Sequence, residues 1–261
     1  MSQPKVGERG YQLAWSKDHP RMLDQEFRTR KARKILAVLR EALPGRDLAS
    51  MRVLDVGASA GIIVGELGRV FGEVVGIDID EGGIERGRRF LTGPNQELRV
   101  GDAMNIPYGD ETFDVVVLNH VYEHIPDAGR AFDEVWRILR PGGVVYVASP
   151  NRLAAIEPHH KLLGLSWLPG RAADLYLRAA GKGDRYYERP RTFRGLKRLT
   201  ARFELEDWTL RIIRDPARYE AEDVVGRDAF VTRLPSFVLS ALHAFVPTHI
   251  VVLRKPGTVG G

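Results

Sequence analysis

The apolar pattern of the chain predicts an α/β fold, a mostly parallel sheet covered by helices on both faces. Three observations carry that expectation. Short runs rich in valine, isoleucine and leucine recur at 51–56, 74–78, 97–100, 113–119 and 143–149. Stretches with helical spacing separate them at 60–71, 81–91 and 127–139, and such alternation argues for parallel strands buried on both sides. The first four runs close on polar residues, Asp55, Asp78, Asp102 and Asn119, at the edge where ligands of such sheets sit.

The remaining elements follow in order. Residues 1–20 are polar with Tyr11 and Trp15 among them, and read as a cap. From Arg21 to Leu43 the set Leu23, Phe27, Ile35, Leu39 and Leu43 lies near helical spacing, and Pro44-Gly45 stops it. After Pro150 the character changes. Residues 151–202 hold His159-His160, the run Leu162 to Pro169 and a basic stretch, and read as an insertion over a pocket. Regular patterning returns with Phe203 to Ile213, an apolar helix near Phe237–Phe245, and a strand from His249 to Leu253. One domain is expected over 1–261: cap and helix 1–45, cofactor-binding core 46–150, acceptor lid 151–202, and sheet completion 203–261.

Composition narrows the class. The 44% hydrophobic and 28% charged fractions of the 261 residues are those of a soluble globular protein. No apolar run approaches the roughly 18 to 20 residues of a membrane span, and Met1 to Lys5 lack the apolar centre of a signal peptide. The chain has no cysteine, which excludes disulfides and thiolate metal sites. A cytoplasmic protein is expected.

The turn Asp55-Val-Gly57-Ala58-Ser-Ala-Gly61 carries the chemistry. Glycines four apart let main chain approach a ligand, the helix beyond offers unpaired N–H donors, and Asp55 can hold a cationic group. A nucleotide-like molecule with a positive charge near the glycines is implied, and S-adenosylmethionine has that description. Asp78 closes the second strand, where an acid accepts ribose hydroxyls. Asp80 is a competitor for that role, but Asp78 ends the apolar run. Asp102 is placed to face an adenine amino group. A dinucleotide is disfavoured, because Ser59 and Ile62 stand where that fingerprint wants glycine. Asp114 reads as a strand-start contact.

With VLDVGASAG, VVGIDID, GDAMNIPYGDETFDVVVLNHVYEHI and the Arg140-Pro-Gly-Gly-Val-Val-Tyr-Val turn-strand in sequence, the chain resembles the class I S-adenosylmethionine-dependent methyltransferases of ubiquinone/menaquinone and glycan-pathway type. The resemblance implies a Rossmann-like sheet of seven strands with one antiparallel strand, and S-adenosyl-L-methionine as methyl donor. It implies a donor site made of Asp55, Gly57, Ala58 and Gly61, of Asp78 and Ile79, of Asp102 and Ala103, and of Asn119 and His120.

Methyl transfer to an alcohol needs a base, and histidine is the natural one. His124, His159 and His160 are the candidates. His120, Glu123 and His124 also have the spacing of one helical face, and similar positions in ubiquinone-type relatives carry ligands for a divalent ion. Histidine in place of the first acid speaks against magnesium, so no metal is expected.

The basic stretch Arg178, Lys182, Arg185, Arg189, Arg191, Arg194, Lys197, Arg198 and Arg202 is interleaved with Tyr186, Tyr187 and Phe193. It suits an anionic acceptor, or attachment to the inner membrane face aided by Leu162, Leu163, Leu165, Trp167 and Leu168. The tail motifs Ser149-Pro-Asn-Arg152, Glu157-Pro-His-His160 and Arg189-Pro-Arg-Thr-Phe resemble glycan-assembly methyltransferases. A sugar hydroxyl of a glycan, glycolipid or sugar phosphate is therefore the expected acceptor, with a quinone or secondary metabolite as the alternative. Nucleic acid is not expected. Asn119-His120 stands where base-methylating relatives carry Pro-Pro-Tyr, and a net charge of +5 is weak for such a partner.

Overall fold

The computed structural model describes residues 20–222, 225–226 and 229–257; the expected cap with Tyr11 and Trp15 lies outside them. Helix α1 (Gln25–Ala42) begins where the Asp24 side chain accepts the Phe27 amide at 3.0 Å. It buries Ala32, Ile35, Val38, Leu39 and Ala42 against the sheet, and Gly45 turns the chain away in the left-handed region at φ +71°. Truncating Ile35 or Leu39 to alanine would cost about 2–5 kcal/mol.

Seven strands follow: β1 (Arg52–Val56), β2 (Glu73–Asp78), β3 (Gln96–Val100), β4 (Phe113–Asn119), β5 (Leu139–Pro150), β6 (Glu204–Asp207) and β7 (Thr248–Arg254). They form one sheet in the order β3-β2-β1-β4-β5-β7-β6, the first five parallel and β7 antiparallel to both its neighbours. Seven strands, mostly parallel, with helices on both faces are the fold class the sequence predicts. Register places Asp55 opposite Gly76 on one side and Val117 on the other.

Alternate residues of each strand feed two cores. Val53, Val115, Val117, Tyr146 and Val252 face α1 and α2 (Ile62–Leu67). Leu54, Val116, Leu118, Val145 and Val251 face α4 (Ala128–Ile138). The expected helices at 60–71 and 81–91 are shorter. Gly61 opens α2 in the left-handed region and Gly68 closes it, while α3 (Glu81–Gly87) gives way to a 3₁₀ turn at Arg88. Strand β5 starts earlier than expected, because Leu139 already pairs with Phe113 before the Pro-Gly-Gly irregularity. Asp114 accepts the Arg52 amide at 2.9 Å and Arg140 Nη1 at 2.8 Å, the strand-start contact its sequence position suggests.

Beyond β5, α5 (Gly170–Ala179) makes a small core of its own from Leu165, Ala173 and Leu177. Helix α6 (Phe193–Leu199) instead inserts Leu196 into the α4 face of the sheet. Helices α7 (Thr209–Arg214) and α8 (Ser236–Leu242) flank the far end. Among the described residues no helix is long and apolar enough to cross a membrane.

Candidate functional site

A cavity of about 750 Å³ opens at the carboxyl ends of β1, β2, β4 and β5. The neighbours β2 and β4 leave β1 in opposite directions, so the crevice is the switch point where open α/β sheets hold ligands. Of the residues the sequence suggests, Gly57, Asp78, Ile79, Asp102, Ala103, Asn119 and His120 line it.

Asp78 is oriented by two backbone donors, the Ser59 amide on Oδ2 at 2.7 Å and the Asp80 amide on Oδ1 at 2.9 Å. Each oxygen keeps a further lone pair. Asp80 accepts the Gly83 amide at 2.9 Å and caps α3, so the competitor for Asp78 has a structural task. Asp102 Oδ1 accepts the Met104 amide at 2.8 Å and folds the turn after β3.

Asp55, Ala58 and Gly61 do not line the cavity; they build its wall from behind. Ala58 is fully buried in the core. A Cβ on Gly61 would collide with Leu98, so this glycine serves helix packing and a left-handed start to α2, not a close approach to ligand. Gly57, at φ +73°, lies in the cavity wall with Val121 filling the space of its missing side chain. Asp55 is buried, and burial pushes its carboxyl up to about 7, opposed by the charge of Arg28 and reinforced by Asp78.

Arg28 is the residue the sequence reading missed. It projects from α1 into the cavity wall and is only 5% exposed; burial lowers its pKa, and the charges of Asp55 and Asp78 oppose that. A signal was present. Arg28, Ile35 and Ala42 repeat every seven residues, which puts a guanidinium on the buried stripe of the helix. Lys31 and Lys34 line the same wall.

The histidines sort into two groups. His120, His124 and His159 line the cavity and His160 does not. His120 takes the left-handed region at φ +57°, its amide bonded to the Ala148 carbonyl at 2.8 Å. Burial, then the charges of Lys31, His159 and His124, hold it well below its ordinary pKa, so it stays neutral. His159 Nδ1 lies 2.8 Å from Glu157 Oε1, and its ring meets His124 edge-to-face at 4.9 Å. Burial alone would lower the pKa of His159; the Glu157 bond and the charges of Glu123 and Glu188 reverse that into a net rise. His160 turns away to Glu188 Oε2 at 3.4 Å and to the edge of Tyr186. The backbone after Pro158 points consecutive side chains apart, and the base candidates narrow to His124 and His159.

The sequence spacing puts His120, Glu123 and His124 on one helical face. Instead a 3₁₀ turn covers only Tyr122–His124, and His159 joins Glu123 and His124 in the group whose ligand atoms lie within 4.8 Å of one another. Burial pushes the Glu123 carboxyl up to about 7.

None of the nine basic residues between Arg178 and Arg202 lines the cavity. Arg189 donates to the Pro126 carbonyl at 3.0 Å, Arg202 pairs with Asp133 at 3.2 Å and covers Trp136, and Lys197 sits over Phe193. The cavity takes its cations instead from α1 and, with Lys161, from the loop after β5. Leu165 of the apolar run is buried, whereas Leu163 and Trp167 are exposed.

Comparison with known proteins agrees with this geometry. Residues 54–147 match the family model described as a methyltransferase domain. A probable S-adenosylmethionine-dependent methyltransferase of Mycolicibacterium smegmatis is 31% identical over 134 residues, 51% of this chain and 49% of its own. A ubiquinone biosynthesis O-methyltransferase of Mesorhizobium japonicum is 31% identical over 138 residues, 50% of this chain and 54% of its own. The chain thus spans about half the length of the curated relatives it matches. Among solved structures, an S-adenosylmethionine-dependent methyltransferase of Mesorhizobium loti superposes with a TM-score of 0.57 at 18% identity, covering 84% of this chain and 96% of its own. The [4+2]-cyclase SpnF superposes at 0.50 with 21% identity, covering 86% and 81%, so the fold by itself does not name a reaction. Residues 54–147 are thus similar to a methyltransferase domain, and the sheet shares the fold of the solved S-adenosylmethionine-dependent methyltransferase from Mesorhizobium loti.

Proposed function

We propose that the protein transfers a methyl group from S-adenosylmethionine to a hydroxyl oxygen of a small acceptor with an apolar body. The observation that carries this reading is one cavity whose wall holds two chemically different sets of residues. It is lined by the glycine turn with Asp78, Asp102 and Arg28, and also by apolar Ile212, Ile213, Val231 and Val246 and by His124 and His159.

At the donor end, Asp78 would accept the ribose hydroxyls and Ile79 and Ala103 would sandwich the adenine, with Asp102 at its amino group. Arg28 suits the α-carboxylate of the methionyl part. The buried Asn119 Nδ2, which has no hydrogen-bond partner among the described residues, is a donor for an oxygen of either substrate. The step is an in-line displacement: the acceptor oxygen forms a bond to the methyl carbon as the carbon–sulfur bond breaks, and the sulfonium becomes a neutral thioether. Alignment of the two substrates can contribute roughly 7–11 kcal/mol. The hydroxyl proton goes to Nε2 of His159, since Glu157 occupies Nδ1.

The apolar wall favours a ring-bearing acceptor of quinol type over a bare sugar, and the quinone methyltransferase names among the relatives point the same way. The sugar-hydroxyl reading rested on tail motifs and on the basic stretch, which lies outside the cavity. Incubation with methyl-labelled donor against a catechol or quinol panel and a sugar-phosphate panel tests both. Label in the first panel supports this reading; label only in the second restores the sugar acceptor.

A further inference from the structure

The cavity wall segregates its charge. Arg28, Lys31, Lys34 and Lys161 are its lysines and arginines, and Asp78 and Asp102 are its carboxylates among the described residues. Asp78 closes β2 and Asp102 follows β3, on one side of β1, whereas β4 and β5 lie on the other. The lysines belong to this second side. Lys161 stands in the loop after β5 and shares the wall with His159. Lys31 and Lys34 come from α1, and their charges act on His120, the residue after β4. Burial first, then Lys31, His159, His124 and Lys34, holds that imidazole well below its ordinary pKa.

Helical spacing makes the α1 cations a strip. Positions 28, 31 and 34 repeat every three residues, so they stand above one another on one face. Lys34 is only 6% exposed, and Lys31 lies over the ring of Phe27, itself part of the wall, at 4.8 Å. Little water screens a cation set in such a wall, which strengthens its pull on an anion. The methyl donor leaves this pull unanswered. It brings one carboxylate, assigned above to Arg28, and its ammonium and sulfonium are both positive.

We propose that the acceptor carries an acidic oxygen group, a carboxylate or a phosphate, held by Lys31 and Lys34 of α1 and by Lys161 of the loop after β5. The first helix then serves both substrates, with Arg28 on the donor and the two lysines on the acceptor. An anchored acid fixes which way round the acceptor lies, and so which hydroxyl meets the methyl group. The inference deepens the acceptor reading above and rests on it for the acceptor's place beside His159; it does not rest on a ring-bearing body.

The test is a calorimetric titration, at neutral pH, of the full chain saturated with S-adenosylhomocysteine. Three matched pairs are the probes: protocatechuate against its amide, a catechol phosphonate against catechol, and glucuronate against its amide. An acid should bind at least about tenfold more tightly than its neutral twin, and the tighter of carboxylate and phosphonate names the group. In Lys31→Met and Lys34→Met the ratio of acid to neutral affinity should fall toward one. Lys161→Gln, at an exposed position, should lower it as well and serves if a helix variant does not fold. No preference for the acid in any pair, or a preference undiminished in every folded variant, would overturn the inference. So would a loss of S-adenosylhomocysteine affinity in a lysine variant with a native thermal melt, because the lysines would then belong to the donor. The outcomes separate the two proposals. Acid preference in the sugar pair alone sinks the ring-bearing acceptor and keeps the anion site; methyl label on catechol without acid preference sinks the anion site alone; absent S-adenosylhomocysteine binding in the unmodified protein sinks both.

Discussion

Oε1 of Glu157 lies 2.8 Å from Nδ1 of His159, and the same carboxylate takes the His160 amide on Oε2 at 2.6 Å. One buried acid thus sets both the loop and the imidazole. The pair favours the tautomer of His159 with its proton on Nδ1, on a side chain that lines the cavity.

A pH profile tests that arrangement. Glu157 helps raise the pKa of His159, and only the neutral imidazole accepts a proton, so turnover should fall as the pH drops through that raised value. In Glu157→Gln the raising partner is gone, and the acid limb of kcat should move to lower pH. His159→Ala should lose roughly 10²–10⁴-fold in turnover with little change in donor affinity. An acid limb that stays in place in Glu157→Gln would detach the pair from proton transfer.

Donor binding should depend on Asp78. Charge-assisted hydrogen bonds contribute about 1.5–3 kcal/mol each, so Asp78→Ala should weaken S-adenosylhomocysteine by at least tenfold. Calorimetric titration measures this. Undiminished affinity would remove Asp78 from the site.

Arg28 offers a sharper distinction. Arg28→Met should weaken S-adenosylhomocysteine, which carries a carboxylate, and leave 5′-methylthioadenosine, which carries none, nearly unaffected. Equal loss for both ligands would mean that the guanidinium supports the fold of the wall and does not meet the ligand.

Glu188 predicts an acid limb of stability. Its carboxyl is held at about 2, against an unfolded value near 4.3: burial raises it, but the His160 bond and the charges of His124 and His159 more than offset that. A depressed acid stabilises above its unfolded pKa, and the contribution fades as pH falls from about 4 to 2. The two-unit shift corresponds to about 3 kcal/mol, shared with His160. Denaturant melts of the native chain and Glu188→Gln at neutral pH and near pH 3 should differ less at the acid end. An equal difference at both would refute the coupling.

The strands themselves and the acids that close them were legible in the sequence because they are local. A short continuous apolar run, an acid at its end and a glycine turn beyond it need only their neighbours to declare themselves. The same locality misled the reading of Gly61, whose missing Cβ is filled by Leu98 from another strand, and of the basic stretch, whose charges look like a site until their packing partners appear.

The sequence alone determined a parallel sheet closed by acids around a glycine turn, because backbone periodicity and turn chemistry act over a few residues. Only the tertiary structure decided which side chains meet in the cavity. Arg28 arrives from the first helix and His159 from the loop after β5, while His160 turns away. Those choices depend on packing between segments far apart in the chain, and no local pattern encodes the direction in which a side chain points once distant elements have docked.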